Sequence, residues 1–411
     1  MAESESEAEK RDLRFIVIGA GMAGILAGIR LRKAGFDDWV IYEKADRLGG
    51  TWRENRYPGI ACDVPSHLYS YSFALNPEWS QRFAPGPEIQ QYLEDVADRF
   101  DVRERIHFGE LITRCEFDGE QWHVETASGK KDAGHFVIAA TGVLHHPSIP
   151  EFEGIDDFEG DVFHSARWPE GLGLAGKKVG VVGTGSTAIQ IVAAAVDEVE
   201  KMELFQRTAQ WVIPMENVIF SEEDKKGFRS DDAGILEIRK EVRTQFVDGF
   251  ANVLVDADNP IIGAMHAACE QALQEGVADP ELRAKLTPDY RAGCKRLIMS
   301  HDFYPAISKP NADVVTDAIE RFEAKGIRTA DGELHELDVV VLATGFKVDA
   351  FVRPMDVIGR DGKLLDEIWE KGPTAYLAIS VPDVPNFFML NGPNGPVGNF
   401  SLIDVAEVEM D

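Results

Sequence analysis

Two glycine-rich loops, each at the end of an apolar strand, constrain this chain more than any other feature. Gly19-Ala20-Gly21-Met22-Ala23-Gly24 follows the run Phe15 to Ile18. Gly183-Thr184-Gly185-Ser186-Thr187-Ala188 follows Val179 to Val182. A G-x-G-x-x-G turn between strand and helix brings backbone N–H groups close to a pyrophosphate, and its last small residue packs helix against strand. One such loop holds one dinucleotide. Two in one polypeptide imply two dinucleotides that meet, as hydride transfer from nicotinamide to flavin requires.

The elements around the two loops repeat in order. After the first loop a helix from about Met22 to Lys33 stops at Gly35, and Trp39 to Tyr42 reads as the next strand. Glu43 then lies about 20 residues past the loop, where a carboxylate accepts hydrogen bonds from a ribose. Hairpins are expected through Asp118-Gly119 and through Asp331-Gly332. The strands Phe136 to Ala140 and Val339 to Ala343 close on Thr141-Gly142 and Thr344-Gly345. This repeat predicts an α/β fold of two tandem Rossmann-like dinucleotide-binding domains. The expected boundaries are 1–145 plus 346–411 for the first domain and 146–215 plus 293–345 for the second.

Residues 216–292 read as a helical insertion that caps a cavity. Ile235, Leu236, Ile238, Val242 and Phe246 keep a helical spacing, as do Ile261, Ile262, Met265 and Leu273. Asp279-Pro280 has the form of a helix start. Towards the end, the strand Phe387 to Leu390 runs into Asn391-Gly392-Pro393-Asn394-Gly395-Pro396. A helix begins near Ser401 and reads as too short to bury much surface.

The second strand of each unit discriminates between dinucleotides. After Met202 to Phe205 comes Gln206-Arg207-Thr208 where a site for NAD would carry an acid. A guanidinium grips a 2′-phosphate and the threonine adds a donor, so the second site is expected to take NADPH. The first site, with Glu43, repels such a phosphate and is expected to hold the adenosine of FAD.

Composition narrows the classes. The 411 residues exceed one ordinary core. A net charge of -29 argues against a nucleic-acid partner. No apolar stretch reaches the ~18 residues of a membrane span, and the acidic stretch to Arg11 reads as a solvated tail rather than a secretory signal. Cys62, Cys115, Cys269 and Cys294 are scattered without a CxxC pair, which disfavours a disulfide framework or a zinc site and fits a reducing cytoplasm. His145-His146 has no further ligand at metal spacing, so no metal is expected.

The segment between the loops carries a family signature. Phe158-x-Gly160-x-x-x-His164-x-x-x-Trp168-Pro169 resembles, residue for residue, the fingerprint of type I Baeyer–Villiger monooxygenases. Gly50-x-Trp52, Tyr57-Pro58-Gly59 and Asp63 match a second pattern of that family. Lys295-Arg296, with Asp302-Phe303-Tyr304 and Pro310-Asn311, resembles its active-site arginine region. The resemblance runs from Phe15 to Ile403.

It implies an enzyme in which NADPH reduces FAD and the reduced flavin takes up O2 as a C4a-peroxyflavin. That oxidant inserts one oxygen beside a ketone carbonyl to give an ester or lactone. The implied catalytic cation is Arg296, which never donates its proton at ordinary pH, and the implied role of Asp63 is to position it. Gly50, Thr51, Trp52, Asp63 and Tyr69 match positions bordering the flavin, beside Gly19, Gly21, Gly24 and Glu43. Thr187, Gln190, Arg207, Thr208 and Lys295 match positions holding NADPH, beside Gly183, Gly185 and Ser186. Phe158, Gly160, His164, Trp168 and Pro169 are expected to couple the domains rather than to react.

Family members continue well past the Gly-Pro-Asn loop, so the chain reads as C-terminally short. An uncovered flavin would favour release of hydrogen peroxide. Two other readings stay open: oxygenation of sulfur or nitrogen, and a remnant that binds cofactors without turnover. The expected partners are a small-molecule ketone and O2, with the chain a monomer or a homo-oligomer.

Overall fold

A computed structural model describes residues 12–251, 256, 258–395 and 400–411. The acidic tail through Arg11 and the loop residue Pro396 lie outside the described residues.

Two five-stranded parallel sheets form the frame. The first has the order Phe387–Met389, Phe136–Ala139, Phe15–Ile18, Trp39–Glu43 and Ile106–Phe108. The second has the order Ala312–Val315, Lys201–Phe205, Lys178–Val182, Val339–Leu342 and Asp161–His164. All four residues of Phe15–Ile18 are buried, which is why they read as an unbroken apolar run. A parallel strand covered on both faces has no polar side to show. Each side chain so buried contributes ~1.5–3 kcal/mol relative to exposure.

Each sheet carries a smaller antiparallel layer. Ile112–Phe117, Trp122–Thr126 and Lys131–Gly134 form the first, with Asp356–Ile358 added at its edge. Ile319–Glu323, Gly326–Thr329 and Leu334–Glu336 form the second. The chain is therefore α/β with two Rossmann-like units, as the repeated order of elements implies. One asymmetry separates them. The outermost strand of the second sheet, Asp161–His164, precedes that sheet's glycine loop, whereas Phe387–Met389 reaches the first sheet only after the second is complete.

The helix Met22–Lys33 follows the first glycine loop, carries Arg30, Arg32 and Lys33 in its last turn, and is followed by Gly35 with φ +83°. Basic side chains there complement the negative end of the helix dipole. The helix Leu402–Met410 packs on it, with Ile403 and Ala406 both at 0% exposure. This corrects the expectation of little burial. Small and branched residues on one face of a nine-residue helix suffice when that face lies flat on another helix.

Between the sheets' connections lie the helices Glu222–Ser230, Asp232–Phe246, Pro260–Gly276 and Pro280–Leu286. Asp279 caps the last of them, its side chain accepting the Glu281 N–H. In Asp232–Phe246 the buried stripe runs through Ile235, Arg239 and Val242, while Leu236 is 45% exposed. Helical spacing alone does not separate Leu236 from that stripe. The stripe passes through an arginine, whose guanidinium donates to the carbonyls of His67, Leu68 and Ser70.

The four cysteines are free. Among the described residues no helix is long and apolar enough to cross a membrane, and no group of three metal-ligating side chains occurs.

Candidate active site

The first glycine loop is shaped by close backbone approaches. Gly19 adopts φ +102°, and a Cβ there would lie 2.6 Å from Ala140 O. A Cβ on Gly24 would lie 1.8 Å from Gly19 O, so only glycine lets the helix start this near the strand. Gly21 precedes the helix, which has neither a side-chain cap nor an acid in its first turn. The first N–H groups of a helix have no partner within it and attract an anion.

Glu43 ends the adjacent strand as a buried carboxylate. It accepts the Ala20 N–H at 2.7 Å and the Ala45 N–H and Arg53 Nη1 at 3.0 Å each. A carboxylate has about four acceptor sites, so one remains for a ribose hydroxyl. Arg53, itself buried, was invisible as a site residue because no spacing rule marks it. Gly50 has φ +56° and faces Gly21 across the mouth of the loop. Thr51 starts the short helix Thr51–Glu54. Trp52 Nε1 donates to Tyr69 Oη at 3.1 Å, with the two rings edge to face.

The second loop repeats this backbone. Gly183 has φ +124°, and a Cβ there would lie 2.3 Å from Ala343 O. Gly185 precedes the helix Ser186–Ala195, which again lacks a side-chain cap and a first-turn acid. Thr184 Oγ1 donates to Thr208 O at 2.9 Å, tying the loop to the segment after the second strand. Arg207 is exposed there and has no ion pair among the described residues. Lys295 holds its ammonium 4.5 Å from the Tyr290 ring centre.

A cavity of about 850 Å³ runs between the loops. Gly19, Gly21, Glu43, Gly50, Thr51, Trp52 and Tyr69 line it with the first loop, Gly185, Ser186, Thr187, Gln190 and Lys295 with the second, and Asp63 and Arg296 also stand on its wall. Gly24, Gly183, Arg207 and Thr208 stand outside its wall. Asn391, also on the wall, buries an Oδ1 that has no partner among the described residues. Uncapped helix starts, loops that exclude a Cβ and an unsatisfied wall acceptor together fit a pair of dinucleotides.

On that wall Arg296 Nη2 donates to Asp63 Oδ2, across 233 positions of sequence. The Arg296 side chain is 47% exposed and that of Asp63 22%. A pair this open contributes ~0.2–1 kcal/mol to stability. Its consequence is orientation: the carboxylate fixes where the guanidinium points.

The fingerprint residues flank and end the strand Asp161–His164 at the edge of the second sheet. Phe158 is core, and a Cβ on Gly160 would lie 2.4 Å from Asp338 O. His164 Nε2 donates to Gly345 O at 2.9 Å while its Nδ1 accepts the Ala166 N–H, which places the proton on Nε2. Burial holds this imidazole below its ordinary pKa. Trp168 packs edge to face on Phe163, and Pro169 O accepts the Leu172 N–H. His145 and His146 hydrogen-bond to Phe351 O and Arg353 O at 2.9 and 2.7 Å, fastening the opposite connection. Asp302 accepts from Ser300 Oγ and forms no pair with His301.

Residues 16–221 match the family model described as pyridine nucleotide-disulphide oxidoreductase. An uncharacterized monooxygenase of Mycobacterium tuberculosis is 47% identical over 401 residues, 96% of this chain and 79% of the relative. A Baeyer–Villiger monooxygenase of Streptomyces coelicolor is 41% identical over 419 residues, 100% of this chain and 79% of the relative. The chain belongs to the Baeyer–Villiger monooxygenase family. Among solved structures, cyclohexanone monooxygenase from Rhodococcus sp. Phi1 bound to NADP+ superposes with a TM-score of 0.85 at 34% identity, covering 97% of this chain and 84% of that one. This Baeyer–Villiger monooxygenase fold therefore places two dinucleotide loops on either side of one arginine–aspartate pair.

Proposed function

We propose that this chain uses NADPH and O2 to insert one oxygen atom beside a ketone carbonyl, giving an ester or lactone. FAD occupies the first glycine loop and NADPH the second. The observation that carries this reading is the Arg296–Asp63 pair on the wall of the cavity between the two loops. The NADP+ and the cyclohexanone in the name of the Rhodococcus structure support the same assignment.

Bound FAD supplies the electron transfer and the activation of O2; the chain supplies placement, charge and shelter from water. Glu43 holds the ribose of FAD, and the first turn of Met22–Lys33 faces its pyrophosphate. The start of Ser186–Ala195 faces the pyrophosphate of NADPH, and Arg207 with Thr208 grips the 2′-phosphate. With the flavin bound, Arg296 would stabilise negative charge arising beside it without surrendering a proton, since a guanidinium stays protonated at ordinary pH. Asp63 sets its direction.

The test reconstitutes the purified chain with FAD, supplies NADPH and O2, and follows a panel of cyclic and linear ketones for ester or lactone. Oxidation of thioethers with no ester from any ketone would overturn the ketone assignment. A preparation that retains no flavin would overturn the cofactor assignment.

A further inference from the structure

The loop that carries Asp63 is clasped by the helix that the proposed function assigns to NADPH. Tyr57, 7% exposed, donates its hydroxyl hydrogen to Gln190 Oε1 at 2.9 Å and accepts from Thr187 Oγ1 at 3.4 Å. Gln190 Nε2 in turn donates to Ala61 O at 3.0 Å, two residues before Asp63. Gly59 lies between them with φ +80°, and a Cβ there would lie 2.6 Å from Gln190 O and 2.7 Å from Ala194 Cβ. On its other side the loop is pinned by Cys62 N–H to Ala84 O at 3.0 Å and by Gly86 N–H to Ile60 O at 2.9 Å. Loop and helix therefore move together or not at all.

The geometry points to Tyr57 as a positioning residue, whose hydroxyl sets the Asp63 loop against the helix Ser186–Ala195 and thereby orients Arg296. The inference rests on the roles proposed above for Asp63 and Arg296. Burial pushes the phenol up to about 12, so it stays a donor throughout the working range. Without the hydroxyl, Gln190 Oε1 loses its partner, and the amide is free to turn away from Ala61 O. Thr187 and Gln190 also line the cavity beside the second glycine loop. Arrival of NADPH at that helix is thus felt at the Asp63 loop through Tyr57 and Gln190.

Tyr57 has a second consequence. Tyr57, Cys62, Asp63 and Gln190 line both the main cavity and an adjoining cavity of about 790 Å³. The clasp is the partition between them. Opening it joins the two cavities beside the partly exposed arginine–aspartate pair, and freer access of water there favours release of hydrogen peroxide.

The experiment compares Tyr57→Phe, Asp63→Asn and the double variant as FAD-loaded full chains. It reads the rate of flavin reduction at saturating NADPH and the ester and peroxide formed per NADPH. In Tyr57→Phe, reduction is expected within about twofold of the parent while ester per NADPH falls about tenfold, the scale of a small misplacement of reacting groups. Peroxide should rise to match, and the double variant should equal Asp63→Asn alone, because Tyr57 acts through that carboxylate. Parent-like coupling in Tyr57→Phe beside a damaged Asp63→Asn overturns the inference and leaves the proposed function standing. Losses that multiply in the double variant also overturn it. Parent-like coupling in Asp63→Asn overturns the proposed role of Asp63 and this inference with it. Should Tyr57→Phe lose its flavin, Gly59→Ala forces the loop off Gln190 with the hydroxyl intact; coupling loss is expected there, and undisturbed coupling overturns the inference.

Discussion

At the first glycine loop a Cβ on Gly24 would sit 1.8 Å from Gly19 O, while the second loop carries Ala188 at the equivalent place. The same contrast runs outward. Glu43 and Arg53 form a buried ion pair tied to the backbone behind the first loop. Behind the second loop, Arg207 stands exposed, without an ion pair among the described residues. The two loops share a backbone and differ in tightness. A buried, paired setting suits a group that stays bound, and an exposed guanidinium suits one that arrives and leaves each turnover. Under the function proposed above, one loop design thus serves a resident and an exchanging dinucleotide.

The largest effect is expected outside both loops. Arg296→Ala should lower ester formation by about 100- to 1000-fold, the scale of losing a charge-stabilising donor. Flavin content and NADPH affinity should be spared; loss of either would show that the arginine holds a cofactor. Next, Gly24→Ala should weaken flavin retention on the order of 100-fold through overpacking, measured by flavin released on gel filtration. The reverse change, Ala188→Gly, should alter NADPH affinity by less than about threefold. If both loops respond alike, the contrast in tightness is wrong.

Arg207→Ala should raise the KM for NADPH by about 10- to 100-fold, the range for a lost charged hydrogen bond. The KM for NADH should barely change. Equal effects on the two coenzymes would move the 2′-phosphate elsewhere.

The smallest effect concerns pH. Glu409, half-buried, accepts the Asn391 N–H behind the first site, and burial raises its carboxyl from 4.5 to about 7. A carboxylate raised in the folded state binds protons more tightly there than when unfolded, so stability falls as pH climbs from 4.5 to 7. Partial solvent access reduces this to about 1–2 kcal/mol. Glu409→Gln should therefore raise the melting temperature by about 1–3 °C at pH 8 and leave it unchanged near pH 4. An equal gain at both pH values would assign the effect to packing.

Both glycine loops, the order of elements and the helical character of the insertion were legible because each leaves a residue-type imprint. A positive φ or a 2.6 Å approach to a carbonyl demands glycine at Gly19 whatever else surrounds it. Arg296 and Asp63 carry no local imprint; only family resemblance named them, and their contact is a matter of tertiary folding. Arg53 was passed over for a related reason. Its partner Glu43 belongs to a recognised pattern, but a residue that reaches into a pattern from outside leaves no periodic signal. Tyr57 stood inside a matched pattern, which gave it no role because its partner Gln190 lies 133 positions away. The C-terminal helix was misjudged because its sequence does not say what covers it. The buried Arg239 shows that a core-facing stripe need not be apolar when carbonyls await it.

The late arrival of Phe387–Met389 has a bearing on biosynthesis. As the chain leaves the ribosome, the first sheet waits with Phe136–Ala139 as a bare edge until Phe387–Met389 has emerged. An unpaired apolar edge invites association with other nascent chains, and the safeguard is speed in building the intervening unit. Messages or truncations that stall translation before Phe387 should send this polypeptide to chaperones and proteases long before any question of catalysis arises.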